Sequence, residues 1–249
     1  MQLASLGSGS KGNATLVRND QSCVLIDCGF SLSQFEKRLQ RLAIDGQQID
    51  AVLVTHEHSD HGAGVSRVAD KYGIPLWMTV GTARALEIQQ FEVINGDQAF
   101  SIGSLDIQAV TVPHDAAEPV QFVFTDTATQ RRLGILTDSG HITSHMQQAY
   151  SGLQGLLLEF NYDEQMLEEG PYPPSLKRRI AGNHGHLSNI QSLQLLQQID
   201  TRSLTRLIAG HISEKNNSVQ IVGDLLRSQQ DLIEAVIACQ QNGFDWMDV

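Results

Sequence analysis

The sequence predicts an α/β fold of the α+β kind, in which two sheets pack face to face and helices cover their outer faces. Short apolar, β-branched runs dominate the first half of the chain, and stretches with helical spacing recur between strands in the second half. No repeat, low-complexity segment or change in composition marks a domain boundary. We therefore expect a single domain over residues 1–249, with layered sheets and helices around its core.

In the N-terminal half, apolar runs between turn residues predict strands, and apolar residues at helical spacing predict helices. The first helix, for example, follows from apolar residues at positions 32, 35, 39 and 42. The predicted strands cover 2–6, 14–17, 22–27, 51–55, 74–78, 91–94, 98–102 and 105–112, and the predicted helices cover 33–42, 60–72 and 81–89.

In the C-terminal half, the same criteria predict an apparent hairpin and then strands separated by helices. The predicted strands cover 120–124, 132–137, 155–159 and 204–209, and the predicted helices cover 162–169, 187–199 and 219–241. The last helix is predicted from an apolar stripe formed by Ile221, Leu225, Leu232 and Val236.

A group of polar side chains follows the predicted strand 51–55 directly. His56, His58, Asp60 and His61 lie within six residues, in the kind of strand-end loop where α/β folds place their chemistry. Imidazole and carboxylate groups together suit Zn, Mn or Fe. A polar turn with solvated histidines is the alternative, but the spacing of the four residues favours a metal site.

Further strand ends carry candidate ligands of the same kind. His114, Asp138 and His211 each follow an apolar run, and the strands of one sheet deliver their ends to a common edge. Taken singly, each of them could be an ordinary polar or turn residue. Their recurrence along the chain favours a shared metal site. Asp27, at the end of the predicted strand 22–27, could support such a site or form a turn.

Composition and charge restrict the function. The net charge of −11 argues against a broad basic face for nucleic acid, although it leaves room for a nuclease with a local positive potential. Cys23, Cys28 and Cys239 lack the spacing of a disulfide framework or of a cysteine zinc site. The sequence shows neither a secretion signal nor an apolar run of membrane length. We expect a cytoplasmic protein that does not bind membranes.

Two other stretches are candidates for contacting substrate. The loop 7–13 resembles a phosphate cradle, but it lacks the Gly-Lys-Ser/Thr ending of a nucleotide-hydrolysing loop, and a tight hairpin connection explains it equally well. The basic segment 177–179 could hold phosphates or form a solvated helix face. The candidate phosphate-binding residues are Ser8, Ser10, Asn13, Lys177, Arg178 and Arg179.

The order His-x-His-x-Asp-His, followed by His, Asp and His, is similar to that of the metallo-β-lactamase superfamily and spans nearly the whole chain. The resemblance implies a four-layer αββα sandwich with two divalent metal ions per chain (Zn, Mn or Fe). One metal would be bound by His56, His58 and His114. The other would be bound by Asp60, His61 and His211, with Asp138 bridging the two.

The flanking residues narrow this resemblance. Segments 5–13, 157–163, 185–189 and 210–217 look like the YycJ/WalJ (VicX) group, which is associated with DNA exonuclease activity. The chain from Glu159 onward also resembles the tRNA 3′-processing endonucleases, in which a Glu and a His form a proton-donating pair. On that match Glu159 would hold His186, with His184 as the alternative partner. The chain has no exosite arm and no room for a β-CASP insert, which argues against a dedicated RNA processor.

The expected function is a dinuclear metal-dependent phosphodiesterase, and specifically a DNA exonuclease. Two metals can lower the pKa of a shared water from about 15.7 towards 7 and generate a bridging hydroxide. His186, held by Glu159, would then act as the general acid. Together with the metal ligand Asp60, these two are the expected catalytic residues. The alternatives are a hydrolase of small cyclic phosphodiesters or of a lactone or thioester, and a non-catalytic regulator. We expect DNA to be the substrate and expect no membrane to be a partner. The chain could also pair with a second copy as a homodimer.

Overall fold

The structure is a computed structural model that describes residues 1–228 and 234–249. Its strands are β1 (Gln2–Gly7), β2 (Ala14–Arg18), β3 (Cys23–Ile26), β4 (Ala51–Leu53), β5 (Leu76–Met78), β6 (Glu92–Val93), β7 (Ala99–Ile102), β8 (Leu105–Thr111), β9 (Val120–Asp126), β10 (Arg132–Leu136), β11 (Gly155–Glu159), β12 (Arg206–Gly210), β13 (Glu234–Ile237) and β14 (Phe244–Asp248). Its helices are α1 (Leu32–Arg41), α2 (Ser59–Gly62), α3 (Val65–Tyr72), α4 (Val80–Ala85), α5 (Ser144–Ala149), α6 (Glu164–Glu169), α7 (Pro174–Ile180), α8 (Asn189–Gln198) and α9 (Val219–Ser228), with a short 3-10 helix at Gly46–Gln48.

The strands form two mixed sheets of seven strands each. The first sheet has the order β14-β1-β2-β3-β4-β5-β6, and the second has the order β13-β12-β11-β10-β9-β8-β7. In each sheet, one half is antiparallel and the other half is parallel, with β3 to β6 parallel in the first and β10 to β13 parallel in the second. The chain therefore builds two similar halves, and β14 returns to the edge of the first sheet.

Alternate residues of the central strands face different layers, which is why these strands are apolar over most of their length. On β4, Ala51 and Leu53 join a core between the two sheets, whereas Val52 faces the helices outside the first sheet. The inner core also contains Phe122 and Leu157 from the second sheet. Because successive side chains of a strand point to opposite faces, a strand between two apolar layers needs apolar residues at every position.

Helices cover the outer face of each sheet. Phe35 of α1 and Val68 of α3 pack on the first sheet, and Met146 of α5 and Leu195 of α8 pack on the second. The resulting order of layers is helix, sheet, sheet, helix, so the predicted αββα sandwich is confirmed.

Local sequence signals set the ends of several helices. α8 begins at a capping box in which the Ser188 hydroxyl accepts from the Gln191 N–H and the Gln191 side chain accepts from the Ser188 N–H. The predicted helix 60–72 is wrong as a single element, because α2 and α3 are separated at Gly64. A Cβ at that glycine would lie 2.0 Å from the Phe30 carbonyl oxygen. Only a glycine therefore lets the backbone pack this closely against the loop that contains Phe30.

The prediction of one terminal helix over 219–241 is wrong. The helix α9 ends at Ser228, Val236 lies in the strand β13 beside β12, and Leu232 is outside the described residues. The apolar period of this segment is compatible with either structure over a short stretch. Pairing with the exposed edge of β12 decides the outcome, because Ala235, Val236 and Ile237 align with residues 207–209 and extend the sheet.

The register of the sheets brings the ends of several parallel strands to one side of the molecule. Ile26 pairs with Leu53 in the first sheet, and Glu159 pairs with Gly210 in the second. The residues that follow these positions therefore emerge close together, at the end of the sandwich where α/β folds place their sites. Within residues 1–228 and 234–249, no helix is both long and apolar enough to span a lipid bilayer.

Candidate metal centre

The loop after β4 buries the first predicted ligand. His56 is 1% exposed, and its Nδ1 lies 2.9 Å from the Thr55 hydroxyl. That hydroxyl donates its own proton to the Asp27 carboxylate (2.8 Å), so it accepts from the His56 Nδ1–H. The lone pair of His56 is consequently on Nε2, which is buried without a hydrogen-bond partner among the described residues.

Three of the predicted ligands form one histidine cluster. Ring nitrogens of His56, His58 and His114 lie within 4.8 Å of one another, and His58 Nδ1 is 3.3 Å from His114 Nε2. The His114 Nδ1–H donates to the Gly185 carbonyl oxygen (2.9 Å), which leaves Nε2 as the acceptor atom. The lone pairs of His56 Nε2 and His114 Nε2 are therefore available to a cation, and a ring nitrogen with a free lone pair is the group by which histidine binds zinc.

A second cluster lies beside the first. Asp60 Oδ2 is 3.4 Å from His61 Nε2 and 3.5 Å from His211 Nε2. The other ring nitrogen of His61 donates to Asp27 Oδ2 (2.8 Å), and that of His211 donates to Glu159 Oε1 (3.2 Å). Carboxylates that hold the outer nitrogens of metal-binding histidines fix both tautomer and ring orientation.

Asp138 joins the two clusters. Its Oδ2 lies 2.9 Å from His61 Nε2 but without the geometry of a hydrogen bond, and this buried oxygen has no hydrogen-bond partner among the described residues. Asp138 also groups with His56 and His61 within 4.8 Å. An unpartnered buried carboxylate oxygen beside an unpartnered imidazole nitrogen is costly unless a cation binds both. The donor set and these two free atoms therefore fit divalent metal ions.

Histidines and carboxylates of the centre stabilise each other's charged forms in the absence of metal. Burial opposes ionisation of Asp138, but His211 and His61 hold the pKa of this carboxyl well below its usual range. Burial likewise lowers the pKa of the His211 ring, but Asp138, Asp60 and Glu159 raise it to about 9. In the metal-free protein, protons therefore supply the positive charge that cations would bring.

Three residues of the centre adopt the left-handed backbone conformation. Asp27, Asp138 and His211 have φ values of 58°, 53° and 53°, and each lies just beyond the end of a strand. Residues other than glycine rarely adopt this backbone conformation, and residues with a strained backbone cluster at functional sites. The sharp turn at each position directs the chain away from the sheet and its side chain into the centre.

Glu159 connects the centre to His186. Glu159 is fully buried, and its Oε2 accepts from the backbone N–H groups of Ser139 (3.1 Å) and Leu187 (3.2 Å). Its Oε1 accepts from His186 Nδ1 (2.8 Å). Burial lowers the pKa of His186, but Glu159 and Asp138 raise it to about 10. His184 is exposed and has no contact with Glu159 among the described contacts.

Asp138, Glu159, His186 and His211 also form a group that could itself hold a cation. Both histidines of this group already direct Nδ1 at Glu159, with distances of 2.8 and 3.2 Å. Their hydrogen bonds favour the role of an anchored pair over that of a further metal site.

An open cleft of about 230 Å³ lies over the centre and exposes part of it. Its lining includes Ser10, His58, Asp115, Tyr172, Arg179 and His186. Of the six predicted phosphate-binding residues, Ser10 and Arg179 line this cleft, whereas Lys177 and Arg178 lie outside its lining.

Ser8 and Asn13 contact the predicted ligands. The Ser8 hydroxyl accepts from the His211 backbone N–H (2.8 Å), and the Asn13 side-chain amide donates to Asp60 Oδ2 (3.2 Å). The loop 7–13 therefore supports the centre at these two positions, and only its tip at Ser10 reaches the cleft.

Sequence reasoning missed several residues of the centre. Thr55 orients His56, Asn161 Nδ2 lies 3.1 Å from His211 Nδ1, and Asp115 lies beside His58 and His114. All three follow strands or adjoin a predicted ligand, which is the signal that could have identified them. His141 and His145 lie outside the clusters, as His141 contacts the Asn183 carbonyl and His145 pairs with Asp97.

Comparison with known proteins gives consistent matches. The family described as beta-lactamase superfamily domain matches residues 23–212. The chain is 32% identical over 224 residues to exodeoxyribonuclease YycJ of Bacillus anthracis, covering 87% of this chain and 84% of that protein. It is 30% identical over 221 residues to exodeoxyribonuclease WalJ of Streptococcus pneumoniae, covering 85% and 81%.

A solved structure shows the same architecture. The metallo-beta-lactamase fold protein YhfI from Bacillus subtilis superposes with a TM-score of 0.76 at 13% identity, covering 99% of both chains. At this identity the likeness concerns the fold alone.

Proposed function

The chain belongs to the beta-lactamase superfamily domain family, and from this membership we propose that it is a metal-dependent phosphodiesterase that degrades DNA as an exonuclease. Two relatives that it matches over most of its length are named exodeoxyribonucleases. The observation that carries the proposal is the buried Glu159 beneath His186, on the wall of a cleft above two clusters of metal-binding side chains.

We assign the metal ligands by the two clusters. His56, His58 and His114 would hold one divalent cation, and Asp60, His61 and His211 would hold a second. Asp138, buried between them, would contact both. When bound, such cations would lower the pKa of a water molecule and so supply a nucleophile at neutral pH. They would also polarise a phosphoryl oxygen of the substrate.

His186 is the proton donor in this proposal. Its Nδ1–H is held by Glu159, and its side chain is 23% exposed at the cleft, so that Nε2 is the ring nitrogen available to substrate. When a phosphodiester is hydrolysed, the nucleoside oxygen leaves as an alkoxide unless it is protonated, and a positioned imidazolium that donates this proton contributes about 10²–10⁴-fold to such a step. Glu159 fixes the ring and favours its charged form.

The cleft offers modest contacts to a phosphate chain. Of the basic cluster, Arg179 lines the cleft, and Ser10 of the loop 7–13 offers a hydroxyl there. These contacts fit binding at a DNA end better than binding along a duplex, because the protein carries a net charge of −11. We propose that the protein acts on DNA in the cytoplasm. That the chain forms a homodimer stays a prediction.

The direct test is hydrolysis of linear duplex DNA with added Mn²⁺ or Zn²⁺. Release of nucleotides by the wild-type protein, with loss of activity in an Asp60→Ala/His61→Ala variant, would support the proposal. Equal activity in that variant would refute it. Glu164→Gln provides a matched control, because this exposed carboxylate lies at the start of α6, outside the two clusters.

A second candidate is a hydrolase of small cyclic phosphodiesters or of a lactone or thioester. It is favoured by the small cleft, in which Arg179 is already paired with Asp115. The His186→Ala variant separates phosphodiester cleavage from thioester hydrolysis, and parallel assays with DNA and a cyclic nucleotide separate the two kinds of phosphodiester. It should slow phosphodiester cleavage strongly but leave thioester hydrolysis almost unchanged, because a thiolate leaves without a proton donor.

A further inference from the structure

The outer ring nitrogens of the candidate metal ligands follow a common pattern with one exception. His56 is held by Thr55 (2.9 Å), His61 by Asp27 (2.8 Å), His114 by the Gly185 carbonyl (2.9 Å) and His211 by Glu159 (3.2 Å). Such partners orient the ring and make the ligating nitrogen more basic.

His58 is the exception. Its Nδ1 lies in the histidine cluster, and among the described residues no hydrogen bond reaches its Nε2. The acidic neighbour of that nitrogen is Asp115, whose Oδ1 lies 3.9 Å away, beyond hydrogen-bond length. His58 is also more exposed than the other four histidines, with 29% of its side chain accessible.

Asp115 is held short of His58 by a competing partner. Its other oxygen accepts from Arg179 Nε, and its backbone N–H donates to the His184 carbonyl (2.9 Å). The backbone is thus fixed, while the carboxylate lies between Arg179 on one side and the His58 and His114 rings on the other, with Oδ1 3.5 Å from His114 Nε2. The Arg179 side chain is 60% exposed, and an exposed ion pair of this kind is weak enough to exchange.

We propose that Asp115 is the positioning residue of His58 and that Arg179 competes with His58 for its carboxylate. When an anionic group of the substrate engages Arg179, the carboxylate is released to accept from His58 Nε2–H. Binding of the anion and binding of metal to the His56/His58/His114 cluster therefore strengthen each other, since such coupling is reciprocal. The identity of the anion as a DNA phosphate rests on the proposed function.

The test is metal affinity in the absence of nucleic acid. Co²⁺ is titrated into the metal-free protein against a chromophoric chelator, which resolves the binding steps for wild type, Asp115→Asn, Arg179→Ala and the double variant. Arg178→Ala is the matched control, because it removes a neighbouring cation of α7 that does not line the cleft.

We expect Asp115→Asn to weaken one binding step by about 10-fold or more, as is usual for the loss of a ligand's supporting group. Arg179→Ala should strengthen the same step, by up to about fivefold given the weakness of exposed ion pairs. The double variant should match Asp115→Asn alone, and Arg178→Ala should match wild type.

Two outcomes would overturn the proposal. If Arg179→Ala weakens metal binding or leaves it unchanged, Arg179 does not compete for the carboxylate. If Asp115→Asn binds metal as tightly as wild type, Asp115 does not position His58. Because no DNA is present, neither outcome affects the exonuclease test, and failure of that test leaves the metal measurements interpretable.

Discussion

Replacement of Glu159 by glutamine should disable the centre while preserving the shape of the side chain. The fully buried carboxylate accepts from two backbone N–H groups and from the Nδ1 atoms of His186 and His211. A glutamine can keep the backbone bonds through its oxygen, but its NH₂ group then faces two ring nitrogens that also donate. The two histidines lose their acceptor and their shared negative charge.

The magnitudes follow from the bonds that are lost. Hydrogen bonds to charged groups contribute about 1.5–3 kcal/mol each, so losing those to His186 and His211 should lower the free energy of unfolding of the metal-free protein by about 3 kcal/mol or more. The rate should fall by about 10² or more, because His186 loses its orientation and its tendency to be charged.

The assay is DNA hydrolysis at saturating Mn²⁺, with urea unfolding of the metal-free protein measured in parallel. Glu164→Gln is the control, since this exposed carboxylate accepts from the Ser188 hydroxyl but does not reach the centre. A Glu159→Gln protein that keeps its stability and falls within about threefold of the wild-type rate would refute the role we give to this residue.

Three further predictions follow from the same structure. Asp27→Asn should weaken metal binding by about 10–100-fold in a chelator competition, because His61 loses the carboxylate that holds it; unchanged affinity would contradict this role. The pKa of His211 in the metal-free protein is raised to about 9, so the stability that its charge contributes is complete below its ordinary value of 6.5 and is lost as pH rises through 9. Metal must displace this proton, so calorimetry in buffers of different ionisation enthalpy should show proton release at pH 7 and weaker binding as pH falls; binding without proton release would argue against His211 as a ligand. Leu157→Ala should lower the free energy of unfolding by about 2–5 kcal/mol in urea titrations, because it opens a cavity between the sheets. The exposed Ile190→Ala should change it by less than about 0.5 kcal/mol, and equal effects of the two would contradict the position of the core.

The fold and the class of protein were predictable because their signals are local. The strand 155–159 is apolar up to Glu159 at its end, which indicates burial on both faces, and the order of histidines and aspartates after strands indicated the family. The expectations of the αββα sandwich, of the superfamily and of an enzyme are confirmed.

The remaining features depend on contacts between distant parts of the chain. The segment 234–237 carries an apolar pattern that suits a helix, and its pairing with β12 makes it a strand. Ser8 and Asn13 were predicted to hold phosphates, whereas their contacts with His211 and Asp60 arise only when the two sheets pack together. Thr55 and Asp115 have ordinary side chains, and their positions beside histidines become visible only in three dimensions.

We propose that the two clusters form one dinuclear centre that hydrolyses DNA ends. The most direct measurement is metal content by mass spectrometry, paired with exonuclease activity, for the wild type and for Asp138→Ala, which removes the carboxylate between the clusters. We predict about two metal ions per wild-type chain. The Asp138→Ala variant should lose bound metal and should also lose activity. Two metal ions and full activity in the Asp138→Ala variant, or no DNA hydrolysis by the fully loaded wild type, would refute this proposal.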